Sequence, residues 1–277
     1  MTHSPQAIRT LLDRIDRSPR RDLGQNFVAD PNTVRRIARL AAVGPGDRVV
    51  EIGAGLGSLT LALVETGAAV TAIEVDPRLA EALRTVVAGA VAGGDVSVVE
   101  ADAMTLDWRD LLGDHDHWTL VANLPYNVAT PLVCDLLDTV PAIDRMLVMV
   151  QREAAERFAA APGTKQYGAV TVKVAYWATA RLVGTVPASV FIPRPNVESA
   201  LVEFTRLPAR ATDPAALFQL VRTAFGQRRK MLRRSLAGRV TPEQFATAGI
   251  SPQARPEQLD VDTWCRLADT VAAAEPV

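Results

Sequence analysis

The feature that most constrains this chain is a β-branched run that empties into three alternating glycines, Val49-Val50-Glu51-Ile52-Gly53-Ala54-Gly55-Leu56-Gly57, and resumes as the helical stretch Leu59 to Glu65. A strand, a tight turn and a helix start in that order form the first half of a crossover unit, which commits the neighbouring chain to an α/β sheet. Glycines allow positive φ and close approach of a ligand to the backbone, and a helix start offers unpaired N–H groups. The expected guest is nucleotide-like. A dinucleotide fingerprint needs G-x-G-x-x-G, but Ser58 makes the spacing here G-x-G-x-G. With the acidic Glu51 ahead of it, that spacing fits S-adenosylmethionine better than NAD. Gly53, Gly55 and Gly57 are therefore candidate cofactor contacts.

Two carboxylates support the same reading. Glu74 lies 21 residues after Gly53, at the end of the next predicted strand, where a carboxylate can accept from ribose hydroxyls. Asp102 ends the strand after that, placed to accept from an adenine amino group.

Short β-branched runs alternate with helical stretches from Asp30 to Val261. Predicted strands cover 48–52, 69–74, 96–100, 119–122, 145–151, 170–175 and 198–204, giving a doubly wound, Rossmann-like sheet of about seven strands. Asp30-Pro31 predicts a helix start, because Asp caps and Pro is tolerated at the first helical position. Near Leu207-Pro208 the pattern becomes helical. Phe218, Val221, Phe225, Leu232 and Leu236 share a face if a turn occurs near Gly226, which marks a small all-helical C-terminal domain. The expected division is a basic, cofactor-closing segment at 1–29, a methyltransferase domain at 30–206 and a helical RNA-binding domain at 207–277.

No run reaches the roughly 18 apolar residues of a membrane span, and the start has no uninterrupted apolar core for a secretory signal. Cys134 and Cys265 belong to no Cys/His pattern, so cytoplasmic thiols are expected rather than a disulfide framework. His3 falls in a terminus expected to be mobile. His115 and His117 flank Asp116 in a polar loop, so all three read as exposed side chains rather than metal ligands.

Asn123-Leu124-Pro125-Tyr126 follows the fourth predicted strand, at the carboxyl edge where open α/β sheets bind ligands. Methylating an exocyclic amine requires its delocalised lone pair to be turned towards the donor. The Asn123 oxygen and the Leu124 carbonyl can accept both amine hydrogens and stabilise the charge that develops on nitrogen. Pro125 aims that carbonyl, and Tyr126 offers a face for a flipped-out base. The alternative is a strand-ending turn with a buried Tyr. Phe191, in Phe191-Ile192-Pro193-Arg194-Pro195, is either an aromatic for the opposite face of the base or a buried core residue.

With 30 Lys+Arg against 31 Asp+Glu the chain is no general polycation, yet residues 218–240 hold Arg222, Arg228, Arg229, Lys230, Arg233, Arg234 and Arg239 and no acid. If Arg228 to Leu236 is helical, Arg229/Arg233 and Lys230/Arg234 are i,i+4 neighbours forming a stripe for phosphates. Arg9, Arg14, Arg17, Arg20 and Arg21 make a weaker patch, read as a flexible arm.

Taken in order, Leu23-Gly24-Gln25-Asn26-Phe27, the glycine loop, Glu74, Asp102, Asn123 to Tyr126, Phe191 to Ala200 and Phe225 to Leu236 resemble the bacterial 16S rRNA adenine N6,N6-dimethyltransferases, the KsgA/RsmA family. The resemblance covers nearly the whole chain. It implies dimethylation of two adjacent adenosines in the 3′-terminal hairpin of 16S rRNA, within the pre-30S subunit, by a monomer. It adds Gln25, Asn26 and Val28 to Gly53, Glu74, Asp102 and Asn123 as cofactor contacts, and gives Tyr126 and Phe191 the target base. Val28 stands where the family often has Leu, and Asn196 and Glu198 where Lys and Asp are frequent, which removes one cation from that loop. The late Arg255-Pro256-Glu257-Gln258-Leu259 also matches this family rather than the related 23S rRNA enzymes. Two alternatives stay open on the residues alone. One is the same chemistry on an adenine of 23S rRNA or DNA; the other is a non-catalytic nucleic-acid-binding assembly factor.

Overall fold

The structure, a computed structural model, describes residues 3–19, 24–91 and 96–274; Arg20, Arg21 and Leu23 lie outside the described residues. Two compact units emerge, Met1–Ala155 with Arg181–Arg206, and Glu156–Ala180 with Leu207–Val277.

Along the chain run α1 (Pro5–Arg14), β1 (Phe27–Val28), α2 (Pro31–Ala41), β2 (Arg48–Ile52), α3 (Ser58–Val64), β3 (Ala69–Glu74), α4 (Pro77–Val91), β4 (Val96–Glu100), α5 (Trp108–Leu112), β5 (Trp118–Asn123), α6 (Ala129–Thr139) and β6 (Ile143–Gln151). There follow α7 (Arg152–Phe158), α8 (Ala169–Trp177), β7 (Ala178–Val186), β8 (Phe191–Ile192), β9 (Ser199–Arg206), α9 (Pro214–Phe225), α10 (Leu232–Ser235), α11 (Pro242–Thr247) and α12 (Val261–Ala272).

The main sheet has the order β4-β3-β2-β5-β6-β9-β7. β4, β3, β2, β5 and β6 pair in parallel, and β9 runs antiparallel to β6. A parallel strand covered on both faces must be apolar almost throughout, as in β2, where Val49, Val50 and Ile52 are buried. The chain builds outward from β2 to β4, then returns to place β5 on the other side of β2. That reversal opens a crevice beyond the carboxyl ends of β2 and β5, the place where open α/β sheets take their ligands. The Gly53 loop follows β2 and the Asn123 segment ends β5.

Local rules explain the framing helices. Asp30 caps α2, its carboxylate accepting from the N–H groups of Asn32 (3.3 Å) and Thr33 (2.9 Å), with Pro31 at the first helical position. Val34, Ile37, Ala38 and Ala41 then fall on one face and are buried against Val49, Leu63 and Val70.

The second unit has its own core. Val172 and Tyr176 of α8 pack with Leu217, Val221, Leu232, Leu236 and Trp264. This cluster corrects two expectations. The run 170–175 is helix rather than strand: its faces are apolar nearly all round, so periodicity cannot separate buried helix from buried strand, and packing overrides the β preference of its Val and Thr residues. The expected 30–206 domain also loses Glu156–Ala180, whose apolar side chains complete the helical core. The remaining strand of the main sheet is β7, which escapes notice because much of it is exposed and it carries Arg181 and Gly184. Cys134 and Cys265 are buried and unpaired with each other. Among the described residues no helix is long and apolar enough to cross a membrane.

Candidate active site

The glycine loop takes positive φ at Gly53 (72°), Gly55 (57°) and Gly57 (82°). A methyl group on Gly55 would lie 3.0 Å from the Phe27 ring, so backbone and ring share space that no other residue leaves open. The N–H groups of this loop are mostly spent. Those of Gly53 and Ala54 donate to the Ile73 carbonyl (2.9 and 3.1 Å), that of Gly57 to the Ala54 carbonyl (2.9 Å), and that of Gly55 to Glu74 Oε2 (2.8 Å). The unpaired N–H groups expected at the helix start belong to α3, which begins at Ser58, and are not these. Donors turned inward cannot cradle a pyrophosphate, so the loop serves as a close-fitting wall.

The charge of the cavity agrees. A space of about 90 Å³ is lined by Gln25, Asn26, Val28, the Gly53–Gly55 turn, Glu51, Glu74 and Asn123, and among the described residues no Lys, Arg or His lines it. Glu51 is 2% exposed and accepts from Thr60 Oγ1 at 2.6 Å. Burial, reinforced by the nearby Glu74 charge, pushes its carboxyl up to about 8. Glu74 is also pushed up by burial, although three backbone N–H groups, those of Gly55, Val75 and Asp76, donate to its carboxylate. A carboxylate has about four acceptor positions, so one remains for a ligand hydroxyl. Two buried acids without a basic partner among the described residues of the cavity wall suit a cationic guest, whose arrival favours their ionised form.

A second space, of about 170 Å³, adjoins the first through Gly53, Val75 and Pro125 and is walled by Ile52, Ile73, Met104, Val128 and Leu132, with Asp102 at its edge. Val75 and Met104 are 48% and 40% exposed, unusual for large apolar side chains beside a core, and both face this space. They fit the two faces of an aromatic base. Asp102 Oδ1 accepts from the Met104 N–H at 2.9 Å, which holds the carboxylate at the rim. The sequence does not single out Val75 or Met104: Val75 directly follows Glu74 at the end of β3, and Met104 lies two residues after Asp102, which does not end β4 as expected but stands two residues beyond its last residue, Glu100. Gly57 does not line either space; its close neighbour is Leu83, so its place is in the turn.

At the end of β5, Asn123 Nδ2 donates to the Asn26 carbonyl at 2.9 Å, and Asn26 Nδ2 donates to the Gly24 carbonyl at 3.0 Å. The first bond selects the amide orientation, leaving Asn123 Oδ1 as the acceptor for a ligand. The Leu124 N–H donates to the Met149 carbonyl at 3.1 Å, whereas among the described residues no donor reaches the Leu124 carbonyl. Pro125 lines both spaces. Tyr126 is half-buried, and its hydroxyl shares a 2.7 Å hydrogen bond with Ser199 Oγ, a fully buried hydroxyl at the start of β9 that the sequence did not single out. Phe191 is different. It is 3% exposed, pairs across strands with Val28 and packs with Val34 and Leu201, so it is a core residue; the expectation of a base-facing ring is corrected.

Residues 3–17 are held on the fold by packing, a hydrogen bond and an ion pair. Ile8 and Leu12 of α1 are buried against Leu56 and Leu79, which also line the first cavity, and the His3 ring donates to the Leu56 carbonyl at 2.8 Å. Arg17 pairs with the buried Asp76 at 3.5 Å. His3 and Arg17 are thus not in a mobile arm.

Comparison with known proteins now bears on this geometry. The model of the family described as "Ribosomal RNA adenine dimethylase" matches residues 17–273. The chain belongs to the ribosomal RNA adenine dimethylase family. It is 47% identical over 273 residues to the ribosomal RNA small subunit methyltransferase A of Bifidobacterium longum subsp. infantis, covering 92% of this chain and 88% of that one. Among solved structures, it is similar to a dimethyladenosine transferase from Plasmodium falciparum (TM-score 0.74, 23% identity, 86% of this chain and 94% of that). It is also similar to the 23S rRNA methyltransferase ErmE (TM-score 0.67, 27% identity, 89% and 99%).

For a member of this family the basic segment of the second unit matters next, and here the expected helical stripe is corrected. α9 stops at Phe225, residues 226–229 form turns, and α10 spans only Leu232–Ser235. The chain re-enters helix with the N–H groups of Leu232 and Arg233 donating to the carbonyls of Ala254 and Pro252, so the i,i+4 stagger across 228–236 does not form. Arg222, Arg229, Lys230, Arg233 and Arg234 are exposed all the same. Arg228 is committed elsewhere, donating to the Thr164 carbonyl at 3.2 Å and pairing with Glu257 at 3.8 Å.

Proposed function

We propose that this chain uses S-adenosylmethionine to dimethylate N6 of two adjacent adenosines in the 3′-terminal hairpin of 16S rRNA, acting as a monomer on the pre-30S particle in the cytoplasm. The observation that carries the reading is the Asn123 amide. Its NH₂ is spent on Asn26, so its oxygen, with the unengaged Leu124 carbonyl, supplies two acceptors beside a cavity whose buried carboxylates suit a cation. The membership of the rRNA adenine dimethylase family and the 47% identity to a small-subunit enzyme, against 27% to a 23S enzyme, support the substrate.

The residues fit the cofactor. Gly53 and Gly55 form the wall, Glu74 takes a ribose hydroxyl, Asp102 takes the adenine amino group between Val75 and Met104, and Gln25, Asn26 and Val28 close the opposite side. When bound, S-adenosylmethionine supplies a methyl group on a sulfonium. The Asn123 oxygen and the Leu124 carbonyl accept the two N6 hydrogens and turn the lone pair towards that methyl. As N6 takes the methyl group, whose bond to sulfur breaks to leave a neutral thioether, positive charge on N6 is stabilised by both acceptors, and one N6 proton then leaves to solvent. A second round needs only the remaining hydrogen. Tyr126, held by Ser199, stacks on the base. Arg222, Arg229, Lys230, Arg233 and Arg234 contact phosphates.

The test incubates the protein with labelled S-adenosylmethionine and small subunits lacking these methyl groups, followed by nucleoside mass spectrometry. Dimethyladenosine confined to the terminal hairpin is expected. Transfer to 23S rRNA instead, or cofactor binding with no transfer to any RNA, would overturn the proposal.

A further inference from the structure

The largest of these spaces is neither cofactor cavity. A groove of about 590 Å³ begins at Tyr126 and the 24–26 segment and runs to the loop 193–197. It shares Gly24, Gln25, Asn26 and Tyr126 with the first cavity, so whatever occupies it is adjacent to the base on Tyr126. Besides Gln25 and Asn26, three more side-chain amides line it: Asn127, Gln151 and Asn196. Among the described residues none of the three has a hydrogen-bond partner, although each offers two donors and an acceptor. Gln151 is held on the rigid end of β6, in register with Ser199, the residue that anchors Tyr126. Val197 is 45% exposed and gives the groove an apolar surface; among the described residues Arg194, on the same loop, is its one cation, and no acid lines it.

A nucleotide flipped onto Tyr126 brings its covalent neighbours with it, so an unpaired base must lie one step along the strand. Single-stranded RNA is read by contacts to unstacked base edges, and a carboxamide matches the donor–acceptor edge of adenine bidentately. An unpaired cytosine offers the same donor–acceptor pair at N4 and N3, so the choice of adenine comes from the adenosine pair read above. The geometry points to a reading subsite: the groove lined by Asn127, Gln151 and Asn196 takes the base next to the target, an adenine, and determines which adenosine pairs are methylated. This rests on the adenosine reading above and deepens it. One target adenosine lies in the groove while the other is the substrate, with Arg194 on the phosphate near them.

The experiment uses small subunits reconstituted with 16S rRNA in which one adenosine of the pair is replaced by uridine or guanosine, on either side. Initial rates of methyl transfer to the remaining adenosine give kcat/KM. On one side of the target, replacing the neighbour is expected to lower kcat/KM about 5- to 150-fold, the range of one bidentate base contact. Gln151→Ala and Asn196→Ala, both away from the cofactor cavities, should lower kcat/KM on the intact pair and leave it unchanged on the uridine-substituted one. The discrimination should fall to within about twofold, with the S-adenosylhomocysteine melting shift intact. Equal rates on all pairs in the wild type, a preference for guanosine, or variants that keep the wild-type discrimination would overturn the subsite while leaving the adenosine reading standing. No transfer to the unaltered particle would overturn both.

Discussion

Glu51→Gln tests the electrostatic account of the cofactor cavity in a single number. The carboxyl is buried, Thr60 is its hydrogen-bond donor, and Glu74 is its charged neighbour, which together hold it up at about 8 from an ordinary 4.5. The sign follows from proton counting. Between 4.5 and about 8 the folded state keeps the proton that the unfolded chain has lost, so stability falls as pH rises; its contribution is complete below 4.5 and gone once pH passes about 8. At about 1.4 kcal/mol for each pH unit, the full interval is worth roughly 5 kcal/mol. Gln has nearly the same shape, can still accept from Thr60 and carries no proton to lose. The stability difference, Gln variant minus wild type, should therefore grow by about 4 kcal/mol from pH 5 to pH 8. Other titrating groups, including His3, whose pKa burial lowers, are common to both proteins and cancel. Urea unfolding at several pH values, without cofactor, reads the difference from midpoints at constant m. If the two proteins stay within about 0.5 kcal/mol of a constant offset across that interval, Glu51 is ionised in the folded state at neutral pH and the reasoning fails.

Binding of the cationic cofactor at pH 7 should release protons from the buried acids, measured as a dependence of calorimetric enthalpy on buffer ionisation heat; no buffer dependence would contradict a neutral Glu51. Asn123→Ala should lower methyl transfer by about 10²- to 10³-fold, the usual cost of one preorganised hydrogen-bonding group at the reacting centre. A variant as active as the wild type would remove that residue from the chemistry. Tyr126→Phe keeps the ring and loses only the hydroxyl bond to Ser199, so its rate should stay much closer to wild type than that of Tyr126→Ala; similar losses in both would favour a role for the hydroxyl itself. Arg229→Ala with Lys230→Ala should weaken RNA binding and flatten its logarithmic salt dependence by about 0.7 to 0.9 for each lost phosphate contact, with the cofactor melting shift unchanged. An unaltered slope would place those cations off the RNA.

Much of the fold is legible from local pattern. The parallel strands β2, β3 and β4 match the predicted runs: β2 and β3 are short, largely buried stretches closed by turn residues, and β4, at the sheet edge, keeps its β-branched Val96, Val98 and Val99. Failures came where burial, rather than pattern, decides. Residues 170–175 are β-branched yet helical inside the second core, and β7 is an exposed strand with no apolar signature. The turn expected near Gly226 is present, but the helix expected from Arg228 to Leu236 is not: helix resumes only at Leu232, where Leu232 and Leu236 join the same core as Phe218 and Val221.

The candidate site divides in the same way. Strand ends and their acids place Gly53, Glu51, Glu74, Asp102 and Asn123 at one sheet edge, because the topology of a crossover unit is written in chain order. What chain order does not carry is the pairing of distant segments. Only the folded protein turns the Asn123 amide by seating Asn26 against it, anchors Tyr126 on Ser199, buries Phe191 opposite Val28, and spends the loop N–H groups on Ile73 and Glu74. Sequence by itself determined which side chains stand at the crevice, since strand and turn signals are local. Tertiary structure decided which of their donors and acceptors remain for a ligand, since each hydrogen bond depends on a partner that folding brings from elsewhere in the chain.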